Sequence, residues 1–117
     1  KQAEAAMFRC GVTLNANALP FDKNGPWWTS GIRVGTPAVT TLGMTKEDMK
    51  EIASIINLVL QGTKPGLTKE GKPAKGKIEI DAAVEEEGKK RVNALLSKYV
   101  LYPELDLDFL KAEFVKD

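Results

Sequence analysis

Apolar residues that recur every three or four positions predict two long amphipathic helices, one starting near the middle of the chain and one in its second half. One is expected to begin after Thr45 and to end at Gly62, and the other to begin after Asp81 and to end near Tyr99. The apolar face of the first consists of Met49, Ile52, Ala53, Ile56, Val59 and Leu60. The apolar face of the second consists of Val84, Gly88, Val92, Leu95, Leu96 and Tyr99. Both faces are expected to lie against the core.

Shorter elements are expected around these helices, separated by segments rich in proline, glycine and asparagine. Residues 15–28 predict a long irregular connection with two adjacent indoles, Trp27 and Trp28, of which one packs inward and the other faces solvent or a partner. Residues 63–77 hold five lysines among prolines and glycines and predict a flexible surface insertion. The other expected elements are a helix over 1–8, strands over 12–15, 31–34 and 78–80, a helical turn over 36–43 and a short helix within 102–117.

Size and charge restrict the classes of function. A chain of 117 residues is enough for one domain, taken as 1–117, and its start without a methionine predicts a piece of a longer protein. The net charge of +1 provides no overall field for nucleic acid or an anionic membrane, and the apolar stretch 52–60 is too short to span a bilayer. The lysines of 63–77 leave an RNA or protein interaction module as a distant alternative, although no aromatic residue lies among them to stack on a base.

Two residue counts bear on the chemistry. Cys10 is the only cysteine, which excludes an internal disulfide and a multi-cysteine metal site and fits a reducing, cytoplasmic location. The chain contains no histidine, so the commonest general base and the commonest metal ligand are both missing. Neither a metal site nor a self-contained catalytic centre is therefore predicted.

A single arginine, Arg33, lies between Gly31 and Gly35 in an otherwise apolar, β-prone stretch. Glycine lets another backbone or a ligand approach closely, and the planar guanidinium presents fixed donors that match a carboxylate or a phosphate. The alternative is an arginine on a strand that forms a surface salt bridge. Local pattern alone leaves both interpretations open.

Three parts of the chain closely resemble the C-terminal domain of serine hydroxymethyltransferase. They are the segment 11–22 (GVTLNANALPFD), Pro26, and the segment 29–38 (TSGIRVGTPA), in the order and at the spacing found in that family. The resemblance is strong from Gly11 to about Leu60 and looser beyond. The insertion over 63–77 resembles one that only some members carry. The fold implied is α+β, the small C-terminal domain of a fold-type I enzyme, with a short antiparallel sheet and helices packed on one face.

The resemblance also implies a function. Members of the family use pyridoxal phosphate to interconvert serine and glycine, with tetrahydrofolate as the one-carbon acceptor, and they are homodimers or homotetramers. Their Schiff-base lysine belongs to a large domain that this chain lacks, so no catalytic residue is assigned here and the isolated chain is expected to be inactive. Arg33 matches the arginine that grips the amino-acid carboxylate. Asn17 matches an asparagine that binds the pterin ring, although a turn asparagine bonded to its own backbone is the alternative.

The tract Asn24-Gly25-Pro26-Trp27 departs from the family pattern, which often has a basic residue, serine, proline and phenylalanine next to bound folate. Gly25, Pro26 and Trp27 are assigned to folate binding with Asn17, and the indole can supply an aromatic wall. Compared with that pattern, Gly25 lacks the hydroxyl of serine, and Asn24 lacks a positive charge that could bind a glutamate tail. A related enzyme that acts on another amino acid therefore remains an alternative.

Overall fold

The structure is a computed structural model that describes residues 1–115. Helices and short antiparallel strands follow one another along the chain, which confirms the predicted α+β class. The nine elements of the described part are α1 Gln2–Arg9, β1 Asn15–Asn17, β2 Gly31–Arg33, α2 Pro37–Thr41, α3 Lys46–Gln61, β3 Thr63–Leu67, β4 Pro73–Ile80, α4 Ala82–Leu96 and α5 Leu107–Phe114. The predicted short antiparallel pairing is present in two separate sheets, one formed by β1 and β2 and the other by β3 and β4.

The two long helices begin where the capping residues predicted. The backbone N–H of Thr45 donates to the Asp48 carboxylate at 2.7 Å, and the Asp81 side chain accepts from the backbone of Ala83 at 2.9 Å. Helix α4 ends at Leu96 rather than near Tyr99, whose hydroxyl instead donates to Asp48 at the start of α3. This hydrogen bond from Tyr99, with those from Thr45, lowers the pKa of the Asp48 carboxyl.

The core lies where α1 packs against α3 and α4. Its buried side chains are Ala6, Met7, Cys10, Ile55, Val59 and Val92. The predicted face of α3 is wrong at two positions, because Ile55 is only 1% exposed whereas Ala53 faces solvent. Helix α1 packs against α3 as well as against strands β3 and β4. Because α3 contacts α1, its buried face includes Ile55 and Val59.

Close packing of α4 depends on the glycine predicted within its apolar face. A Cβ atom at Gly88 would lie 3.1 Å from Val59 Cγ2 and 3.2 Å from the Cys10 sulfur. The absence of a side chain thus lets three helices meet at this position. Burial raises the pKa of the Cys10 thiol, with a smaller contribution from the carboxylate of Glu85. The only cysteine is therefore a small core residue rather than a reactive one.

Residues 63–77, predicted as a flexible surface insertion, lie largely in strands β3 and β4. Strands β3 and β4 form an antiparallel hairpin in which Thr63 pairs with Ile80 and Pro65 with Ile78, and an irregularity follows between Pro65 and Leu67. Tertiary contacts override the local turn signals of the prolines and glycines, because β4 packs along α1. The Gln2 amide donates to the backbone oxygens of Ala74 at 2.7 Å and Lys77 at 3.2 Å. The lysines thus lie on a hairpin held against α1.

Candidate substrate-binding site

Strands β1 and β2 form a short ribbon that places the candidate residues together. Asn15 pairs with Arg33 and Asn17 pairs with Gly31. Because side chains alternate along a strand, Asn15, Asn17 and Arg33 share one face of the ribbon. The strand predicted over 12–15 lies closer to the C-terminus than expected, because the pairing with β2 begins only at Asn15. Val12 and Leu14 precede it and pack against the core.

Asn15 fixes the direction of the Arg33 side chain. Its Oδ1 accepts a hydrogen bond of 3.0 Å from Arg33 Nε. Arg33 is exposed and forms no salt bridge with any carboxylate in residues 1–115, so the alternative of a surface ion pair is absent there. With Nε engaged, the two terminal nitrogens remain available as a parallel pair of donors. No role was predicted for Asn15, because its position opposite Arg33 depends on the register of the two strands.

The two glycines that flank Arg33 differ. A Cβ atom at Gly31 would lie 2.6 Å from Leu19 Cδ2 and 2.9 Å from the backbone oxygen of Asn17. At Gly35 the nearest atom would be Pro37 Cδ at 3.5 Å, an ordinary contact. The close approach of another backbone, predicted for this stretch, therefore occurs at Gly31.

The segment 18–30, here called the Asp22 loop, is organised around one carboxylate. Asp22 accepts hydrogen bonds from the Ser30 backbone at 2.7 Å, the Ser30 hydroxyl at 2.8 Å, the Asn24 backbone at 3.0 Å and the Leu19 backbone at 3.3 Å. These bonds, led by that from the Ser30 backbone, hold the pKa of Asp22 far below its ordinary value. The sequence analysis assigned Asp22 no role, although it ties the loop to the start of β2.

Replacing Asp22 with asparagine should destabilise the Asp22 loop at neutral pH, because the amide removes the charge from four hydrogen bonds. The folded pKa of Asp22 lies below its unfolded value near 4. Its stabilisation is therefore fully present above about pH 4 and is lost as the pH falls toward the folded pKa. Urea unfolding from pH 7 to pH 2 should show the wild type and the variant converging only at the acid end. Asp108→Asn on the exposed helix α5 is the control, and an Asp22→Asn variant as stable as wild type at pH 7 would contradict the role.

The remaining candidate residues lie on the Asp22 loop or next to it. Asn17 is exposed, and its side-chain N–H donates to the backbone oxygen of Ala18 at 2.9 Å, so the turn-type bond is present. Gly25 has a φ of 71°, a conformation that favours glycine, and Pro26 is exposed. Trp28 is 39% exposed and its ring covers Gly76 of the hairpin, whereas Trp27 is 73% exposed. Both indoles are therefore exposed, and the prediction that one of them packs inward was wrong, although Trp28 is the less exposed of the two.

Two features are absent from residues 1–115. No helix in this part is both long and apolar enough to cross a membrane. No cluster of three or more histidine, cysteine, aspartate or glutamate side chains suited to a metal ion occurs there.

The comparisons with known proteins all point to the same family. The sequence model of the family described as serine hydroxymethyltransferase matches residues 1–56. A protein named serine hydroxymethyltransferase from Treponema pallidum is 51% identical over 116 residues, which cover 99% of this chain and 20% of that protein. Proteins of the same name from Chlamydia pneumoniae and Salinispora tropica are 46% and 44% identical, over 94% and 92% of this chain and 22% of each relative. The chain thus spans about a fifth of the length of these relatives and matches their C-terminal portion.

Proposed function

Because the chain belongs to the serine hydroxymethyltransferase family, we propose that it is the substrate-binding C-terminal domain of an enzyme that interconverts serine and glycine. Tetrahydrofolate is the proposed one-carbon acceptor. The complete protein is proposed to be a cytoplasmic homodimer or homotetramer, and this chain alone is expected to be inactive.

The observation that carries the proposal is the geometry of Arg33. Asn15 accepts a hydrogen bond from Nε at 3.0 Å, so the two terminal nitrogens of the guanidinium can donate to both oxygens of a carboxylate. A carboxylate held at two points cannot rotate freely, and the α-carbon attached to it then takes a fixed direction. A lysine at this position would provide only a point charge and would leave that direction free.

The residues of this chain do not fit covalent attachment of pyridoxal phosphate. Every lysine in the described part of the chain is exposed, and none lies in an enclosed apolar pocket of the kind that activates a lysine as a nucleophile. The cofactor, which stabilises negative charge at the α-carbon when bound, is therefore assigned to the part of the protein outside this chain. Arg33 would then hold one end of the amino acid while the reacting bond faces another domain.

The Asp22 loop is proposed to bind the folate. Asn17 lies on the same face of the ribbon as Arg33, and its side-chain oxygen can accept a hydrogen bond from a heterocycle while its N–H remains bonded to Ala18. Trp27 presents an indole that is 73% exposed and can cover an aromatic ring. Gly25 and Pro26 shape the backbone next to it.

The proposal is tested by assaying the full-length protein for glycine formation from serine, with and without tetrahydrofolate. We expect glycine formation to require tetrahydrofolate, and the purified 117-residue chain to show neither the activity nor cofactor absorbance. Cleavage of serine that does not depend on tetrahydrofolate would favour the related enzyme with another amino acid as substrate. Salt-sensitive binding of a generic RNA, with no cleavage of serine, would favour the interaction module.

A further inference from the structure

Strand β4 has a glycine beneath the ring of Trp28. A Cβ atom at Gly76 would lie 3.1 Å from Trp28 Cζ3 and 3.2 Å from Cη2, both shorter than an ordinary van der Waals contact. The φ of Gly76 is not in the positive range that favours glycine, so other residues could adopt its backbone conformation. A glycine within a strand also weakens that strand. The space taken by the indole therefore explains why position 76 has no side chain.

Helix α1 holds the backbone of β4 on both sides of Gly76. The side-chain amide of Gln2 donates to two backbone oxygens, those of Ala74 at 2.7 Å and Lys77 at 3.2 Å. These two hydrogen bonds keep the strand in place beneath the indole. Trp28 therefore packs on a part of the hairpin that is itself fixed to the domain.

Trp28 also lies between two anchored positions of the Asp22 loop. The Asp22 carboxylate accepts a hydrogen bond from the backbone of Asn24 at 3.0 Å and one from the backbone of Ser30 at 2.7 Å. Residues 25–29 span the distance between these two positions and include the glycine, proline and tryptophan assigned to folate. The packing of Trp28 on the hairpin gives this span an attachment of its own.

We infer that Trp28 is a positioning residue, and that strand β4 supports the Asp22 loop through Gly76 in the conformation that binds tetrahydrofolate. A loop that is already held in its bound conformation loses less conformational entropy when the ligand binds. The hairpin therefore raises the affinity for the ligand by packing against the loop. This role rests on the proposed function only for the identity of the ligand.

The test is a double-mutant cycle in the full-length protein, with Gly76→Val, Trp28→Val and the double variant. We expect each single substitution to raise the KM for tetrahydrofolate roughly three- to tenfold, because the span 25–29 is then no longer held. The kcat, and the glycine affinity from isothermal titration, should stay within about twofold. The double variant should lose no more than Trp28→Val alone, since the added methyl groups then displace no indole.

Amide hydrogen exchange of residues 18–30 provides a readout that needs no ligand. We expect faster exchange in Gly76→Val and in Trp28→Val than in the wild type, because a loop with fewer contacts opens more often. Lys64→Val is the control, since Lys64 is an exposed residue at the base of the same hairpin, where it pairs with Glu79. It should change neither the exchange of the loop nor the KM for tetrahydrofolate.

Three results would overturn the inference. They are unchanged exchange of the loop in Trp28→Val, an equal loss of glycine affinity and tetrahydrofolate affinity, and losses that multiply in the double variant. If the wild type still requires tetrahydrofolate to form glycine, each of these results leaves the proposed function standing. A wild type that forms glycine without tetrahydrofolate would instead contradict the proposed function, and hydrogen exchange of the loop would then decide by itself whether Trp28 and Gly76 hold it.

Discussion

Replacing Arg33 with lysine in the full-length protein should weaken glycine binding by roughly 100-fold or more. Lysine keeps the positive charge but cannot form two parallel hydrogen bonds to one carboxylate, and it has no nitrogen equivalent to the Nε that Asn15 now holds. Arg33→Ala should lose more, because the charge also disappears. Isothermal titration calorimetry with glycine measures the affinity directly.

Stability separates a binding role for Arg33 from a structural one. Arg33 is exposed and has a single side-chain partner in the described residues, so Arg33→Lys should leave the midpoint of urea unfolding almost unchanged. Arg9→Lys is the control, since Arg9 pairs with Glu85 of α4 and not with a residue of the ribbon, and it should affect glycine binding little. Unchanged glycine affinity in Arg33→Lys would contradict the carboxylate role.

Replacing Gly31 with alanine should cost about 1–3 kcal/mol of unfolding free energy. The added methyl would lie 2.6 Å from Leu19 Cδ2, which can move, and 2.9 Å from the backbone oxygen of Asn17, which cannot move without disturbing the strand pairing. Because Asn15 and Arg33 are paired in the same ribbon, glycine affinity should fall in parallel. Urea unfolding and glycine titration of the same variant measure the two effects.

Gly35 provides the matched control for Gly31. It flanks Arg33 on the other side, and a methyl group there would meet only Pro37 Cδ at 3.5 Å. Gly35→Ala should therefore change the unfolding free energy by less than about 0.5 kcal/mol. Equal losses in the two variants would mean that the close contact at Gly31 is not the cause.

The sequence predicted best where the determinants are local. Thr45 and Asp81 mark the starts of α3 and α4 because a cap involves only the next few residues. The spacing of apolar residues along these helices likewise predicted that Val59 and Val92 are buried. Ile55 was missed, because the contact with α1 that buries it depends on distant residues.

The sequence predicted poorly where pairing across the chain decides the structure. Pro65 and Pro73 indicated a loop, yet both lie in strands of a short hairpin that is supported by α1. The role of Asn15 depends on Arg33, 18 residues away, and the link from Asp22 to β2 depends on Ser30, eight residues away, so the residues next to them did not indicate these roles. Arg33 could be chosen as a candidate from the sequence because its own chemistry and its flanking glycines are unusual, and its binding role stays a prediction. The assignments of Asn17, Gly25, Pro26 and Trp27 to folate remain predictions.

The two ends of the hairpin meet at one place. Thr63 pairs with Ile80, and the backbone N–H of Asp81 donates to the oxygen of Gly62 at 3.0 Å. The path from α3 to α4 is therefore already closed at the base of the hairpin, and the residues beyond that base do not determine the distance between the two helices. Chain length can therefore change at the tip of the hairpin, residues 68–72, without moving the two helices, whereas strand β4 itself packs against α1 and the core.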